Sequence, residues 1–259
     1  VSFCLMREFL SHLGMELVRR VAHSFIVSFP KSGRTWVRVF LAHYASRVYG
    51  REVKPFFTSL REYLAGIPRI VFTHAGAEGE GGTSKKLTGR RVLFIARDPR
   101  DIVVSYYFQI TKREAVSAAP GDLSEFIRDP KYGLERIISF MNEWSEARET
   151  FKSFLCIRYE DLKQSPKEEF AKIISFVGFP WDEKACEEAL EYARFENMQE
   201  RERKGGGESG ILKATNTADA DSYKVRRGKV GGYADYFSVE DTTYVEQALR
   251  KLDAAFKYR

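Results

Sequence analysis

The sequence predicts a single α/β domain in which helices flank a central parallel sheet. Short, continuously apolar segments recur at 23–29 (HSFIVSF), 67–76 (IPRIVFTHAG), 92–96 (VLFIA) and within 151–162 (FKSFLCIRYEDL), as expected of strands buried on both faces. Between them lie longer segments with apolar residues at helical spacing, the alternation of a parallel sheet with its crossovers. The glycine-rich stretches GAEGEGG (76–82) and KGGGESG (204–210) have neither the length nor the flanking composition of interdomain linkers. Residues 1–259 are therefore read as one domain.

Each element follows from local pattern. In residues 1–20, Met6, Phe9, Leu10, Leu13 and Leu17 fall at helical spacing, while Arg7, Glu8, His12 and Glu16 break up the apolar run. That predicts a core-facing amphipathic helix, neither signal peptide nor membrane anchor. Strand 23–29 leads through PKSGR into a helix over 35–49. Strand 92–96 leads through a turn at Pro99 into a helix beginning at Asp101. The strand within 151–162 is followed by a helix over 166–177. Further helices are expected over 123–129, 133–150, 182–192 and 239–257, the last with Ser238 and Asp241 as a capping pair.

Composition narrows the function. Lysine and arginine number 42 against 36 acidic residues, a formal net charge of +6. An excess this modest, and not arranged in blocks, favours a local basic pocket for an anionic ligand over a nucleic-acid stripe. The three cysteines, Cys4, Cys156 and Cys186, form neither a disulfide framework nor a metal knuckle. A reducing, cytoplasmic setting without a metal is the simpler expectation.

The stretch SFPKSGRTWVRVFL (28–41) begins as a strand and ends as a helix, with Lys31, Ser32, Gly33 and Thr35 at the join. A helix N-terminus at the carboxyl end of a strand offers unpaired N–H groups and the positive end of the helix dipole. Gly33 would let the backbone approach an oxyanion, Lys31 adds a point charge, and Ser32 and Thr35 add hydroxyl donors. The turn is P-loop-like, yet it does not fit the nucleoside-triphosphate loop, where lysine follows the second glycine. Here the lysine precedes the only glycine, and no strand ends in an obvious metal-binding aspartate.

PKSGRTW together with LFIARDPRDIVVSYY (93–107) closely resembles the paired signatures of the sulfotransferases that use 3′-phosphoadenosine 5′-phosphosulfate. The resemblance continues in RYEDLKQSPKEEF (158–170), RFENM (194–198) and VRRGKVGGYADYFS (225–238), and so covers the chain from about residue 24 onward. It implies that the first loop, with Lys31, Ser32, Gly33, Arg34 and Thr35, holds the 5′-phosphosulfate. Arg97 and Ser105 would hold the 3′-phosphate, reinforced by Arg226, Arg227 and Gly228. Trp36, Tyr159 and Phe195 would meet the adenine. Lys31 would stabilise the departing oxygen, and His74 would take the proton of a hydroxyl acceptor, an alcohol, phenol or glycolipid-like molecule. An imidazole suits that task because its ordinary pKa of about 6.5 lies near working pH. His12, His23 and His43 lie on or beside apolar segments and are expected to be structural.

Departures from the family pattern keep alternatives open. Phe72 stands where a lysine commonly precedes the histidine by two residues, so one cation near the reaction is absent or replaced, with Arg34 a candidate. Gly232-Tyr233 replaces a common Asp-Trp pair, and YARF (192–195) replaces a hydroxyl-rich stretch. The short dimer motif of the family lacks both charged ends in the segment from Ala234 to Thr243, leaving the oligomeric state open. A nucleotide kinase-like phosphotransferase using ATP and magnesium is one rival, and a catalytically silent nucleotide binder another. The acceptor pocket is expected from loops 52–66, 75–88, 111–122 and 200–224. Phe56, Phe57, Tyr63, Tyr106 and Tyr107 are candidates either to line it or to pack in the core.

Overall fold

The computed structural model describes residues 22–57, 59–77, 82–114, 116, 121–205, 211–212, 216 and 218–258; the helix expected over 1–20 lies outside them. The first half of the fold runs β1 (Ser24–Ser28), α1 (Arg34–Val48), α2 (Leu60–Leu64), β2 (Ile70–Thr73), β3 (Arg91–Ala96) and α3 (Pro99–Phe108). Then come α4 (Leu123–Arg128), α5 (Leu134–Glu146), β4 (Ser153–Arg158), α6 (Tyr159–Gln164) and α7 (Pro166–Val177). Helices α8 (Glu183–Tyr192), α9 (Phe195–Arg203) and α10 (Val239–Leu249) complete it. The strands form one parallel sheet in the order β2-β1-β3-β4.

Parallel strands need long crossovers, and the helices of those crossovers cover both faces of the sheet. Ile26 of β1 and Leu93 and Ile95 of β3 enter a core shared with α1, α7 and α8. Phe25, Val27, Val92 and Phe94 enter a second core with α5 and α10. Neighbouring residues thus feed opposite cores, which is why these strands read as unbroken apolar runs. Phe94 meets Trp144 of α5 at a ring-centroid distance of 6.4 Å, and full burial of such a ring contributes about 1.5–3 kcal/mol.

The capping pair foreseen at α10 is present: Asp241 N–H donates to Ser238 Oγ at 3.0 Å, and Ser238 N–H donates to Asp241 Oδ2 at 3.3 Å. The helix expected over 239–257 is shorter, however. It ends at Leu249, and Asp253 caps a separate 3-10 turn, Ala254–Phe256, by accepting the Ala255 N–H at 2.9 Å. That turn carries Phe256 and Tyr258 into the second core. The helix expected over 133–150 ends at Glu146 and tightens into the 3-10 turn Ala147–Thr150. Helix α3 starts at Pro99, earlier than expected, because Asp98 accepts the Arg100 N–H at 2.9 Å and proline suits the first helical position. At its other end it widens into the π-turn Gln109–Arg113.

Because β1 has β2 on one side and β3 on the other, the connections leaving β1 and β3 diverge at the carboxyl edge of the sheet. A crevice opens at such a point, and ligands of open α/β sheets lie there.

Candidate functional site

The chain leaves β1 through Phe29–Gly33, and two residues of that turn have positive φ, Lys31 at 70° and Gly33 at 94°. A non-glycine residue in the left-handed region is uncommon, and such strain concentrates at functional sites. Helix α1 then begins with no side-chain cap, so its first N–H groups are left for a ligand. Gly33 is required for two reasons: its φ, and the Tyr159 ring, whose Cδ2 would lie 2.6 Å from an added Cβ. Overpacking of this kind costs about 1–3 kcal/mol. Gly33→Ala is expected to lower the denaturation midpoint accordingly, whereas an unchanged midpoint would mean that the ring swings aside freely.

His74 follows β2 directly. The β1–β2 register sets Val27 beside Thr73, which brings the next residue of each strand, Ser28 and His74, together. His74 Nδ1 lies 2.7 Å from the Ser28 carbonyl oxygen. A carbonyl can only accept, so Nδ1 carries the proton and Nε2 keeps a free lone pair. Burial, together with the charges of Arg34, Arg38 and Lys224, pushes the His74 pKa down to about 3. In the free protein the ring is neutral throughout the physiological range.

A cavity of about 610 Å³ gathers these elements. Of the residues assigned by resemblance, Lys31, Gly33, Arg34, Thr35, Trp36 and His74 line it, as do Arg97, Ser105 and Tyr159, and Phe195, Arg226, Arg227 and Gly228. Ser32 does not. Its side chain is buried and its Oγ has no hydrogen-bond partner.

Arg97 ties the two halves of the cavity together, donating from Nη1 to the Lys31 carbonyl at 3.0 Å and from Nη2 to the Lys229 carbonyl at 3.2 Å. Its Nε is buried without a partner. Asp101, one turn on, lies 3.6 Å from Arg97 Nη2 and accepts the N–H groups of Gly231 and Tyr233 at 2.9 and 3.0 Å. Arg226 Nη1 donates to the Tyr236 hydroxyl at 2.7 Å, and its guanidinium stands 4.0 Å over the Phe108 ring. Arg227 pairs with Asp235 at 2.6 Å.

The aromatic residues form the wall beyond α1. Trp36 meets Tyr159 edge-on at 6.0 Å and Phe170 at 5.4 Å, so one side of its ring is core and the other borders the cavity. Phe195 lies against Gly228, where an added Cβ would come within 2.5 Å of its ring. Lys163 Nζ stands 5.9 Å from the Trp36 ring and 6.0 Å from that of Phe195.

Lys31 is more enclosed than a loop lysine read from sequence. Its ammonium donates to Gln109 Oε1 at 3.2 Å and to the Lys224 carbonyl at 3.4 Å. Desolvation, and then repulsion from Lys224, Arg113 and Arg97, pushes its pKa down to about 7. Burial foremost also lowers Lys224 to about 8. Glu202, fully buried, accepts the N–H groups of Lys224 and Val225 at 2.6 and 2.8 Å and Arg113 Nη1 at 2.9 Å. It thereby fixes the segment whose carbonyl meets Lys31.

Sequence reasoning missed Arg38, Gln109, Lys163, Glu202 and Lys224. Only Arg38 left a local signal, four residues after Arg34 and therefore on the same side of α1. Phe72, the departure noted above, lies under the Arg38 guanidinium at 4.4 Å. Of the five aromatics considered for the acceptor pocket, Tyr106 lines the cavity. Phe57 is core, Phe56 is exposed, Tyr63 lies under the Arg69 guanidinium, and Tyr107 packs on Phe108 and Phe126. His23 accepts the Arg69 N–H at 3.3 Å and His43 stacks on Tyr192 at 4.1 Å, both structural arrangements.

Comparison with known proteins matches residues 22–257 to the family model described as "Sulfotransferase domain". Among curated relatives, sulfotransferase 1A1 of Mus musculus is 26% identical over 252 residues, covering 88% of this chain and 83% of the relative. Cytosolic sulfotransferase 1 of Danio rerio is 25% identical over 266 residues, covering 90% and 84%. Among solved structures, mouse sulfotransferase SULT7A1 complexed with PAP superposes with a TM-score of 0.62 at 20% identity, covering 89% of this chain and 83% of the other. Retinol dehydratase in complex with androsterone and inactive cofactor PAP superposes at 0.59 and 20%, covering 88% and 79%. At these identities the structures bear on the fold, which is the one described here.

Proposed function

Since this chain belongs to the sulfotransferase domain family, we propose that it moves the sulfuryl group of 3′-phosphoadenosine 5′-phosphosulfate to the hydroxyl of a small-molecule acceptor. The observation that supports this best is the pairing, in one cavity, of an uncapped helix N-terminus beside Lys31 with a histidine whose Nδ1 is already committed. The bond from sulfur to the 5′-phosphate oxygen breaks and a bond from sulfur to the acceptor oxygen forms. The acceptor proton goes to His74 Nε2, and adenosine 3′,5′-bisphosphate leaves with the charge of the broken bond.

In this reading the turn at Gly33, the first N–H groups of α1 and the hydroxyl of Thr35 hold the phosphosulfate, and Lys31 meets the departing oxygen. Arg97, with its unpartnered Nε, and Ser105 hold the 3′-phosphate, with Arg226, Arg227 and the backbone at Gly228. Trp36, Tyr159 and Phe195 border the adenine. Donor binding brings negative charge among the cations that depress His74, so it raises the basicity of that ring as the site fills. A reducing compartment such as the cytoplasm fits the free thiols of Cys156 and Cys186. Among the described residues no helix is long and apolar enough to cross a membrane.

Calorimetry with adenosine 3′,5′-bisphosphate and with ATP, each with and without magnesium, tests the donor. The bisphosphate is expected to bind without magnesium and more tightly than ATP; magnesium-dependent preference for ATP would favour phosphotransfer instead. Transfer of label from sulfur-labelled phosphosulfate to a phenol separates an enzyme from a silent binder.

Lys31 supplies a pH test. Its pKa of about 7 in the free protein must rise when an anion binds, so binding takes up a proton. Affinity for the bisphosphate should therefore fall as pH rises from about 7.5 to about 9, where the phosphates are already ionised. Lys31→Met should flatten that slope, leaving the smaller contribution of Lys224. A pH-independent affinity in the wild type would exclude a titrating lysine at the donor.

A further inference from the structure

Nine lysine and arginine side chains line the cavity against two carboxylates, Asp101 and Glu114. Both carboxylates are committed: Asp101 to Arg97 and two backbone N–H groups, Glu114 to Gln109 Nε2 at 2.7 Å. Six of these cations fall into two groups. Arg97, Arg226 and Arg227 are bound to the segment 229–236 or its partners, and in the reading above they serve the 3′-phosphate. Arg34, Arg38 and Lys224 act instead on His74.

That second group is under-partnered. Among the described residues none of the three forms a salt bridge. Arg34 Nη1 and Arg38 Nε are buried without a hydrogen-bond partner, and Lys224 Nζ reaches only the Ile211 carbonyl at 3.3 Å. Buried donors left in this state are costly and call for an account. Arg34, at the first position of α1, can turn toward the phosphosulfate. Arg38 is one turn deeper along the helix, and its guanidinium is braced on Phe72, two residues before His74 on β2. Its charge is among those that depress His74, and like His74 it lines the cavity.

We propose that the acceptor carries an anionic group, a carboxylate or a phosphoryl group, in addition to the hydroxyl that meets His74, and that Arg38 and Lys224 select it. The proposal rests on the sulfuryl-transfer reading of the same cavity. Phe72 then has a positive role: where a lysine would add a cation of its own, the ring supplies a face that holds the Arg38 guanidinium. Burial pushes Arg38 down to about 10, and burial with repulsion from Arg113, Arg38 and Arg34 pushes Lys224 down to about 8. An anion lodged among them relieves both effects.

Three phenols of one shape class provide the test: 4-hydroxyphenylacetate, 4-hydroxybenzylphosphonate and the neutral 4-hydroxyphenylacetamide. Their affinity is measured by calorimetry on protein saturated with adenosine 3′,5′-bisphosphate, and their turnover with the phosphosulfate donor. The two anions are expected to exceed the amide by about tenfold or more in affinity and in kcat/KM, the scale of one charged hydrogen bond. Arg38→Gln and Lys224→Gln should each reduce that ratio by about tenfold, and Arg38→Lys should restore part of it. If Arg38→Gln does not fold, Lys224→Gln carries the same comparison. Equal use of anion and amide by the wild type overturns the proposal while leaving sulfuryl transfer intact, as does a preference that survives in both variants. Tight, Arg38-dependent binding of the anions with no label transfer to any phenol would uphold the anion site and refute the transfer reaction.

Discussion

His74→Ala is expected to lower kcat by about 10²–10⁴ while leaving affinity for adenosine 3′,5′-bisphosphate nearly unchanged, the signature of a general base. Nδ1 donates to Ser28, which leaves Nε2 as the acceptor of the proton. The loss should shrink with acidic phenols, which ionise with little help, and grow with aliphatic alcohols. The lysine that commonly stands two residues before this histidine cannot take over, because position 72 is phenylalanine. The acid limb of the wild-type kcat/KM profile for the donor, which reports the free protein, carries a second mark. Below its pKa the ring is protonated and cannot accept; above it the ring is neutral and competent. With that pKa held down to about 3 in the free protein, activity should not fall from this group between about pH 8 and about pH 5. A mutant that loses stability and nucleotide affinity together, with no dependence on acceptor acidity, would make His74 a packing residue.

The second large effect is discrimination for the 3′-phosphate. That group carries about −1.5 to −2 charges at neutral pH, and without it Arg97 keeps a buried Nε with no partner. Asp101 meets only Nη2 of that guanidinium, and removing one partner of a buried, hydrogen-bonded charge pair typically costs about 2–5 kcal/mol, roughly 30- to 5000-fold in kcat/KM. The wild type should prefer 3′-phosphoadenosine 5′-phosphosulfate over adenosine 5′-phosphosulfate by that factor. Changing the donor is the cleaner experiment, because Arg97→Gln would also release the Lys31 and Lys229 carbonyls. Equal rates with the two donors would remove Arg97 and Ser105 from phosphate recognition.

Much of the fold was legible because the strands and long helices carry their own periodicity. Helix α7 lies where its pattern placed it, and α1 and β1 differ from expectation by one residue at each end. Helices α6 and α9 were not legible. EDLKQ and ENMQERER have no apolar period, and tertiary contacts hold them: Tyr159 and Phe195, which open the two helices, pack on Gly33 and Gly228. The last helix was overdrawn because Leu249, Leu252 and Phe256 continue a helical spacing through a break that Asp253 makes. The contiguous parts of the cavity, 31–36, 97–105 and 226–228, appear as strings in the sequence. Lys224 and Glu202 do not, since their places depend on one buried carboxylate gathering three donors. The enclosure of Lys31 was invisible for the same reason, its neighbours Gln109 and Lys224 being brought there by the fold alone.

The Lys31 ammonium meets a carbonyl 193 positions further along the chain, and Arg97 meets one 132 positions further. During synthesis, then, the turn after β1 emerges early and waits for most of the polypeptide before its surroundings exist. Contacts this remote form late, after the closure entropy of the intervening chain has been overcome. The sheet does not depend on the segment 224–236 in the same way, since its strands end by residue 158, although both cores take residues from further along, Val225 in one and Val245 to Tyr258 in the other. Closing the cavity around Lys31 is thus a later event than pairing the strands. A nucleotide that bridges Lys31 and Arg226 would act on that last step, pulling the closing segment into place and holding it there.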